Sequence, residues 1–242
     1  MNLKRIDKIA ALNCNMTRKE ARQAIKSGNI LINGRPVLKA EELVDCDSDT
    51  ITVNGEKIEL KEHIYIVMNK PKGVITATED KTKQTVIDLI PKDIKRRSLF
   101  PCGRLDRDTT GLLVITDDGA LAHRLMSPSH HVYKTYAASL LYEAIPSDID
   151  RLEKGITLED GTECLPARAK IIDESGTPLV HISIKEGKYH QVKRMFAALG
   201  NKVIDLKRLS IGAFTLPSDL KEGDSRLMTG EEVDMLFTDT AL

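Results

Sequence analysis

Two Asn-Gly dipeptides, Asn33-Gly34 and Asn54-Gly55, constrain this chain more tightly than any other local feature. Each interrupts a short apolar alternation, Ile30 to Val37 and Thr50 to Ile58. Asn and Gly tolerate the positive φ that a two-residue turn demands, so each pair should close a β-hairpin and fix its register. Upstream, Ile6, Ile9 and Ala10 recur at helical spacing. Thr17 and Glu20 are placed for a reciprocal capping box that opens a second helix, and Gly28 is placed to end it in a left-handed cap. Ala21, Ala24 and Ile25 form the apolar face of that helix, while Arg18, Arg22 and Lys26 fall four apart on another.

Charge is distributed unevenly around this module. The whole chain balances 36 basic against 36 acidic residues, so any claim of nucleic-acid binding must rest on where charges sit. Residues 1 to 39 hold nine basic side chains against Asp7 and Glu20, a balance of +7, and residues 40 to 60 reverse it to −6 with seven acidic residues against Lys57. Two helices followed by short hairpins, with a basic second helix, resemble the small RNA-binding domain first described in ribosomal protein S-four. That likeness covers about a quarter of the chain and implies RNA contacts at Arg5, Arg18, Lys19, Arg22 and Lys26.

Leu60 to His63 reads as a linker, which divides the chain into residues 1–60 and 61–242. Beyond it, strands are expected at Ile64 to Met68, Gly111 to Thr116, Lys134 to Leu140, Leu179 to Ile184 and Lys202 to Leu206. Helices are expected at Thr85 to Ile90, at Gly119 to Met126 after the capping pair Asp117-Asp118, and at Gln191 to Leu199. The order lacks a regular β-α-β period, which favours an α+β domain with a mixed, largely antiparallel sheet flanked by helices.

The segment Gly103-Arg104-Leu105-Asp106-Arg107-Asp108-Thr109-Thr110-Gly111-Leu112-Leu113 places a carboxylate on a tight loop just before an apolar strand, where a rigid scaffold can aim it at a ligand. Taken alone, Asp106 would be a turn aspartate. The whole segment, however, closely resembles the catalytic motif of pseudouridine synthases, and three further segments agree with that family in order. Asn69-Lys70-Pro71-Lys72-Gly73 resembles its opening Asn-Lys-Pro-x-Gly turn, a scaffold for the catalytic loop. Ser129-His130-His131-Val132-Tyr133-Lys134-Thr135-Tyr136 resembles the segment ending in Lys-Thr-Tyr, and Glu186 to Phe196 resembles the segment around His-Gln-Val.

The resemblance implies that Asp106 is the essential carboxylate, that Tyr136 lies against the target base, and that Lys193 pairs with the aspartate. An occluded carboxylate drifts toward its neutral form on desolvation, and a nearby cation keeps it ionised. Arg104 is the candidate to fill the gap left by a flipped base, and Lys188, His190 and Arg194 are candidates for RNA contact. Asp108, Asp117 and Asp118 read as turn or cap residues. The family needs no metal or organic cofactor.

The segment from Tyr189-His190-Gln191 through Gly200-Asn201 looks most like the RsuA type, which acts on a uridine in the 5′ domain of 16S rRNA; enzymes for the large subunit usually carry Asn-Arg-Gln or Asn-His-Glu at Tyr189 to Gln191. The implied partner is ribosomal RNA, in a small-subunit assembly particle, acted on by a monomer. The alternatives are an enzyme for 23S rRNA or tRNA and a non-catalytic assembly factor. Cys14, Cys46, Cys102 and Cys164 form no C-x-x-C pair, the first residues lack a signal-peptide stretch, and no apolar run approaches the roughly 18 residues of a membrane helix. Reduced thiols and a cytoplasmic protein off the membrane are therefore expected.

Overall fold

The computed structural model describes residues 2–96, 98–127, 132–172 and 178–239. The chain forms two compact units, one of Met1–Ile64 with Lys92–Leu99 and one of Tyr65–Pro91 with Phe100–Leu242. The His130-His131 pair lies outside the described residues.

In the first unit, β1 (Leu3–Arg5) leads into α1 (Ile6–Asn13) and α2 (Arg18–Lys26), followed by β2 (Ile30–Ile32), β3 (Arg35–Pro36), β4 (Leu43–Asp45), β5 (Ile51–Val53) and β6 (Glu56–Ile58). Thr17 and Glu20 form the reciprocal capping box. At the other end of α2, the amide of Gly28 donates to Ile25 and that of Asn29 to Ala24, so the helix closes in a Schellman motif with Gly28 at φ 72°. Asn33 and Asn54 both sit at φ 51°, each followed by a glycine of positive φ, and the two hairpins join through β2 and β5 into an antiparallel sheet ordered β3-β2-β5-β6. A separate ladder pairs β1 with β4. Ile6, Ile9, Ile25, Ile30, Ile51 and Val53 fill the core between helices and sheet.

Two differences from the sequence reading follow from long-range contacts. The division expected after residue 60 falls after Ile64, and Lys92–Leu99 belongs to the first unit because Arg96 donates to the side chain of Asn13 and to the carbonyl of Lys61. The stretch Thr85 to Ile90 is a capped turn, not a helix. There Asp88 accepts from both the amide and the hydroxyl of Thr85, and Thr85 forms an isolated bridge with Ile75, so its backbone bonds go sideways rather than up a helix.

The second unit is built on a mixed sheet that has nine strands among the described residues. They are β7 (Tyr65–Lys70), β8 (Phe100–Pro101), β9 (Thr110–Thr116), β10 (Lys134–Leu140), β11 (Arg168–Ile172), β12 (Leu179–Ile184), β13 (Val203–Ile211), β14 (Phe214–Thr215) and β15 (Ser225–Leu227). The main path runs β11-β12-β10-β13-β9-β7-β15, with β14 attached to β13 and β8 to β9. Among the described strands of this sheet, the β13–β9 pair is parallel and the other pairs are antiparallel. All seven residues of β9 are buried, as a central strand covered on both faces requires.

Gly111 explains how β9 fits between its neighbours. It sits opposite Lys70 on one side and Arg208 on the other, at φ 100°, and an added Cβ would lie 2.3 Å from the Arg208 carbonyl oxygen. Only glycine allows the backbones this close. Helices α3 (Gly119–Met126), α4 (Pro146–Lys154), α5 (Gln191–Ala198) and α6 (Gly230–Met235) complete the unit. Asp118 caps α3 by accepting from Ala120 and Leu121. The strand expected at Lys202 to Leu206 is β13, which extends to Ile211, and β11, β15, α4 and α6 add to the elements expected from periodicity. Thr229 and Glu232 form a second capping box at α6, a signal of the same kind as that of Thr17 and Glu20.

Candidate active site

The loop that carries Asp106 joins β8 to β9 and is held from behind by the first turn after β7. Lys70, the last residue of β7, is wholly buried, and its ammonium donates to the carbonyls of Asp106 at 3.1 Å, Thr109 at 3.0 Å and Pro71 at 3.1 Å. The β7–β9 register places Lys70 opposite Gly111, directly beneath the loop. Desolvation lowers the pKa of Lys70 to about 8, partly offset by the nearby carboxylates of Asp108 and Asp106. Thr76 adds a reciprocal clasp, its hydroxyl donating to the Leu105 carbonyl at 2.8 Å and accepting from the Leu105 amide at 3.2 Å. Gly73 donates to the Arg107 carbonyl and accepts from the Arg107 side chain. Backbone groups of Leu105, Asp106, Arg107 and Thr109 are thus all fixed, and the Asp106 side chain inherits that rigidity.

The carboxylate itself is 28% exposed and meets two groups from the segment that starts α5. Lys193 Nζ lies 3.1 Å from Asp106 Oδ2 and 2.6 Å from Asp108 Oδ1, and His190 Nε2 lies 3.4 Å from Asp106 Oδ1. Burial alone would push Lys193 down, but hydrogen bonds to Asp108 and Asp106 outweigh it and raise its pKa, so it stays cationic. Asp108 is correspondingly held below the usual carboxylate range by Lys193. It therefore does more than shape a turn, since it anchors the cation that Asp106 shares.

A pocket of about 70 Å³ opens at this carboxylate, lined among others by Arg104, Asp106, Tyr136, Ile184, Lys188 and His190. Tyr136 is buried on β10, between β12 and β13. A larger cavity of about 470 Å³ is lined among others by Thr135, Lys207 and Ser210, and its lining includes neither Asp106 nor Lys193. The smaller pocket is the candidate site, because a fixed carboxylate, a cation and an aromatic ring converge there.

The other residues expected to contact RNA have varied surroundings. Lys188 pairs with Glu186 at 2.7 Å, and Gln191 ties the same turn together by accepting from the Lys188 amide and donating to Glu186. Arg194 pairs with Asp160. In the first unit Arg18, Lys19 and Lys26 are exposed on α2, whereas Arg5 and Arg22 both grip Asp7, whose side chain is fully buried. Burial would push Asp7 up, but hydrogen bonds from Arg5 and Arg22 prevail and hold it below its ordinary value. These two arginines hold the fold as well as contributing surface charge. Sequence reasoning treated Lys70 only as part of a turn and Glu186 and Gln191 only as parts of a motif, and it did not single out Thr76; nothing local marks Thr76 as the partner of a loop 29 residues away.

Among the described residues no group of three His, Cys, Asp or Glu side chains could hold a metal ion. All four cysteines are free, and burial pushes the Cys102 thiol up to about 12, which removes it as a thiolate nucleophile near neutral pH.

Residues 64–198 match the family model described as RNA pseudouridylate synthase, and residues 4–51 match that of the S4 domain. The chain belongs to the RNA pseudouridylate synthase family and is an isomerase acting on RNA. It is 46% identical to "Uncharacterized RNA pseudouridine synthase YtzG" of Bacillus subtilis (strain 168), over 96% of this chain and 98% of that protein. It is 42% identical to "Ribosomal small subunit pseudouridine synthase A" of Vibrio cholerae, over 96% and 99% of the two chains. It is also 39% identical to "Ribosomal large subunit pseudouridine synthase B" of Bacillus subtilis (strain 168), over 97% and 96%. These near full-length matches put it in the RsuA-type group of the family.

Proposed function

We propose that this protein converts one uridine of 16S rRNA, in the 5′ domain, to pseudouridine, with Asp106 as the catalytic carboxylate. The observation that carries the reading is the setting of Asp106: its backbone is clamped by Lys70, its carboxylate faces Lys193 and His190, and its pocket is shared with Tyr136. A target uridine turned out of its stack enters this pocket, where the ring of Tyr136 packs against the uracil and offsets part of the few kcal/mol spent on extrusion. Asp106 adds to the base or to the anomeric carbon, and the N1–C1′ bond breaks. The uracil turns within the pocket, C5 bonds to C1′, the bond between Asp106 and carbon breaks to return the free carboxylate, and the proton lost from C5 is balanced by one gained at N1. Lys193 pairs with the carboxylate and orients it throughout, and Arg104 fills the space that the base vacates.

The choice of 16S rRNA rests on Tyr189-His190-Gln191 and on likeness to a small-subunit enzyme. A second reading, a uridine of 23S rRNA, is favoured by the comparable identity to a large-subunit enzyme. Carbodiimide modification and primer extension on 16S and 23S transcripts and on small-subunit particles separates them. One new pseudouridine in 16S rRNA, absent with Asp106→Asn, is the expected result. Modification confined to 23S rRNA overturns the substrate, and full activity of Asp106→Asn overturns the nucleophile.

A further inference from the structure

The residue just before His190 has no part in the chemistry described so far. Tyr189 is 76% exposed, yet its ring is not loose: it stacks on the imidazole of His190 with centroids 3.9 Å apart and planes inclined by 17°. That imidazole is the one whose Nε2 lies 3.4 Å from Asp106 Oδ1. His190 adopts a left-handed backbone, φ 47° and ψ 35°, at the N-terminus of α5, a conformation unusual for a residue with a Cβ. The turn is held there by Gln191, Glu186 and Lys188, and Arg194 donates to the Tyr189 carbonyl at 3.4 Å. Lys188 and His190, on either side of Tyr189 in sequence, both line the pocket of Asp106.

An aromatic ring with one face on a fixed imidazole and most of its surface in water is a platform ready for a second flat partner. In an enzyme acting on RNA, the partner of matching shape is a nucleobase, which stacks on tyrosine whatever its sequence. We propose that Tyr189 stacks on a nucleobase flanking the target uridine, so that the row of flanking base, Tyr189, His190 and Asp106 couples RNA seating to the carboxylate. This rests on the reading of the Asp106 pocket as the uridine site.

The test uses the full chain and the rRNA transcript in which mapping finds the new pseudouridine. 2-Aminopurine is placed singly at each of the two positions on either side of the target by splinted ligation. Asp106→Asn serves as the non-reacting background for fluorescence. At one flanking position 2-aminopurine should be quenched on binding, the quenching should vanish in Asp106→Asn/Tyr189→Ala, and it should persist in Asp106→Asn/Tyr189→Phe. In the reactive background Tyr189→Ala and Tyr189→Leu should lower kcat/KM roughly tenfold through KM, the size of one lost base stack, and Tyr189→Phe should restore it.

An unchanged KM in Tyr189→Ala overturns the proposal. A raised KM with no Tyr189-dependent quenching at any flanking position overturns it too, since the ring would then touch backbone and not base. A fall in kcat alone assigns Tyr189 to supporting His190 and equally removes the platform. If wild-type protein makes no pseudouridine in any transcript or particle, the reading of the site has failed, and that outcome is seen before any Tyr189 variant is made.

Discussion

The ammonium of Lys70 lies 3.1 Å from the main-chain oxygen of Asp106, 36 residues further along the chain. Asp106 is thereby set in place through its backbone, leaving its carboxylate for Lys193 and His190. Lys70→Met should strip the Asp106, Thr109 and Pro71 carbonyls of their shared donor inside the protein. A loss of about 3 kcal/mol in stability is expected, since each unsatisfied buried group costs roughly 1–3 kcal/mol. Activity should fall about 100-fold even where the variant is fully folded, because a shift near 1 Å in a reacting group has that effect. Denaturant unfolding together with single-turnover assays checks both, and a folded variant with undiminished turnover would show that the clamp is dispensable.

Burial of Lys70 also makes stability depend on pH. Desolvation lowers Lys70 to about 8, and Lys134, half-buried on β10 near Arg208, is lowered to about 8 for the same reason. An unfolded lysine titrates near about 10.4, so above about pH 8 the unfolded chain binds more protons than the folded one and stability rises with pH. The thiol of Cys102, pushed up to about 12, has the opposite sign: unfolded thiolate forms above about pH 8.5–9 while the folded thiol stays protonated, so stability is then lost as pH rises. Urea midpoints should accordingly climb from about pH 7.5, climb less steeply above about pH 9, where one thiol opposes two lysines, and turn down only above about pH 10.4. Lys134→Met should reduce the climb; a midpoint that falls steadily from pH 7.5 would contradict both lysine shifts.

Lys193 has a dual attachment, to Asp106 and to Asp108. Lys193→Met should lower kcat by roughly 10²-fold, the lower end of what the loss of one preorganised electrostatic donor costs. Lys193→Arg, which keeps the charge, should recover part of that, and Asp108→Asn should cost less than Lys193→Met or Asp106→Asn. Equal losses for Lys193→Met and Lys193→Arg would point to shape and not charge as the requirement.

The basic face of α2 divides into two kinds of residue. Arg18 and Lys26 are exposed, whereas Arg22 joins Arg5 on the buried carboxylate of Asp7. Arg18→Ala with Lys26→Ala should leave the melting temperature unchanged and reduce the salt dependence of RNA binding by about 0.7 in log-log slope per lost single-strand phosphate contact. Arg22→Ala should also destabilise the first unit, by about 1–3 kcal/mol, because Asp7 keeps only one of its partners. Salt titrations and thermal melts on the same samples test this, and an unchanged slope in the double variant would place the RNA surface elsewhere.

Short-range signals made several elements legible in the sequence. The capping box of Thr17 and Glu20, the glycine stop at Gly28, the paired Asn-Gly turns and the Asp118 cap all act within a few residues, so their geometry is set by local sterics and hydrogen bonds. The same locality misled at Thr85 to Ile90, where apolar spacing suggested a helix but the bonds of Asp88 to Thr85 and the bridge to Ile75 draw the backbone aside.

The sequence by itself determined the hairpin turns, the helix ends, the α+β character and, through four motif segments, the family and the residues to examine. Tertiary structure alone decided which groups meet: Lys70 beneath Asp106, Thr76 on Leu105, Lys193 shared between Asp106 and Asp108, and Arg22 drawn onto Asp7. It also decided that Lys92–Leu99 belongs to the first unit and that β13 runs parallel to β9. The physical reason is one of range. A turn or cap is specified by neighbours along the chain, whereas a buried ammonium finds its carbonyls, and a carboxylate its cation, only after the sheet has brought distant segments together in a medium where an unpaired charge is costly.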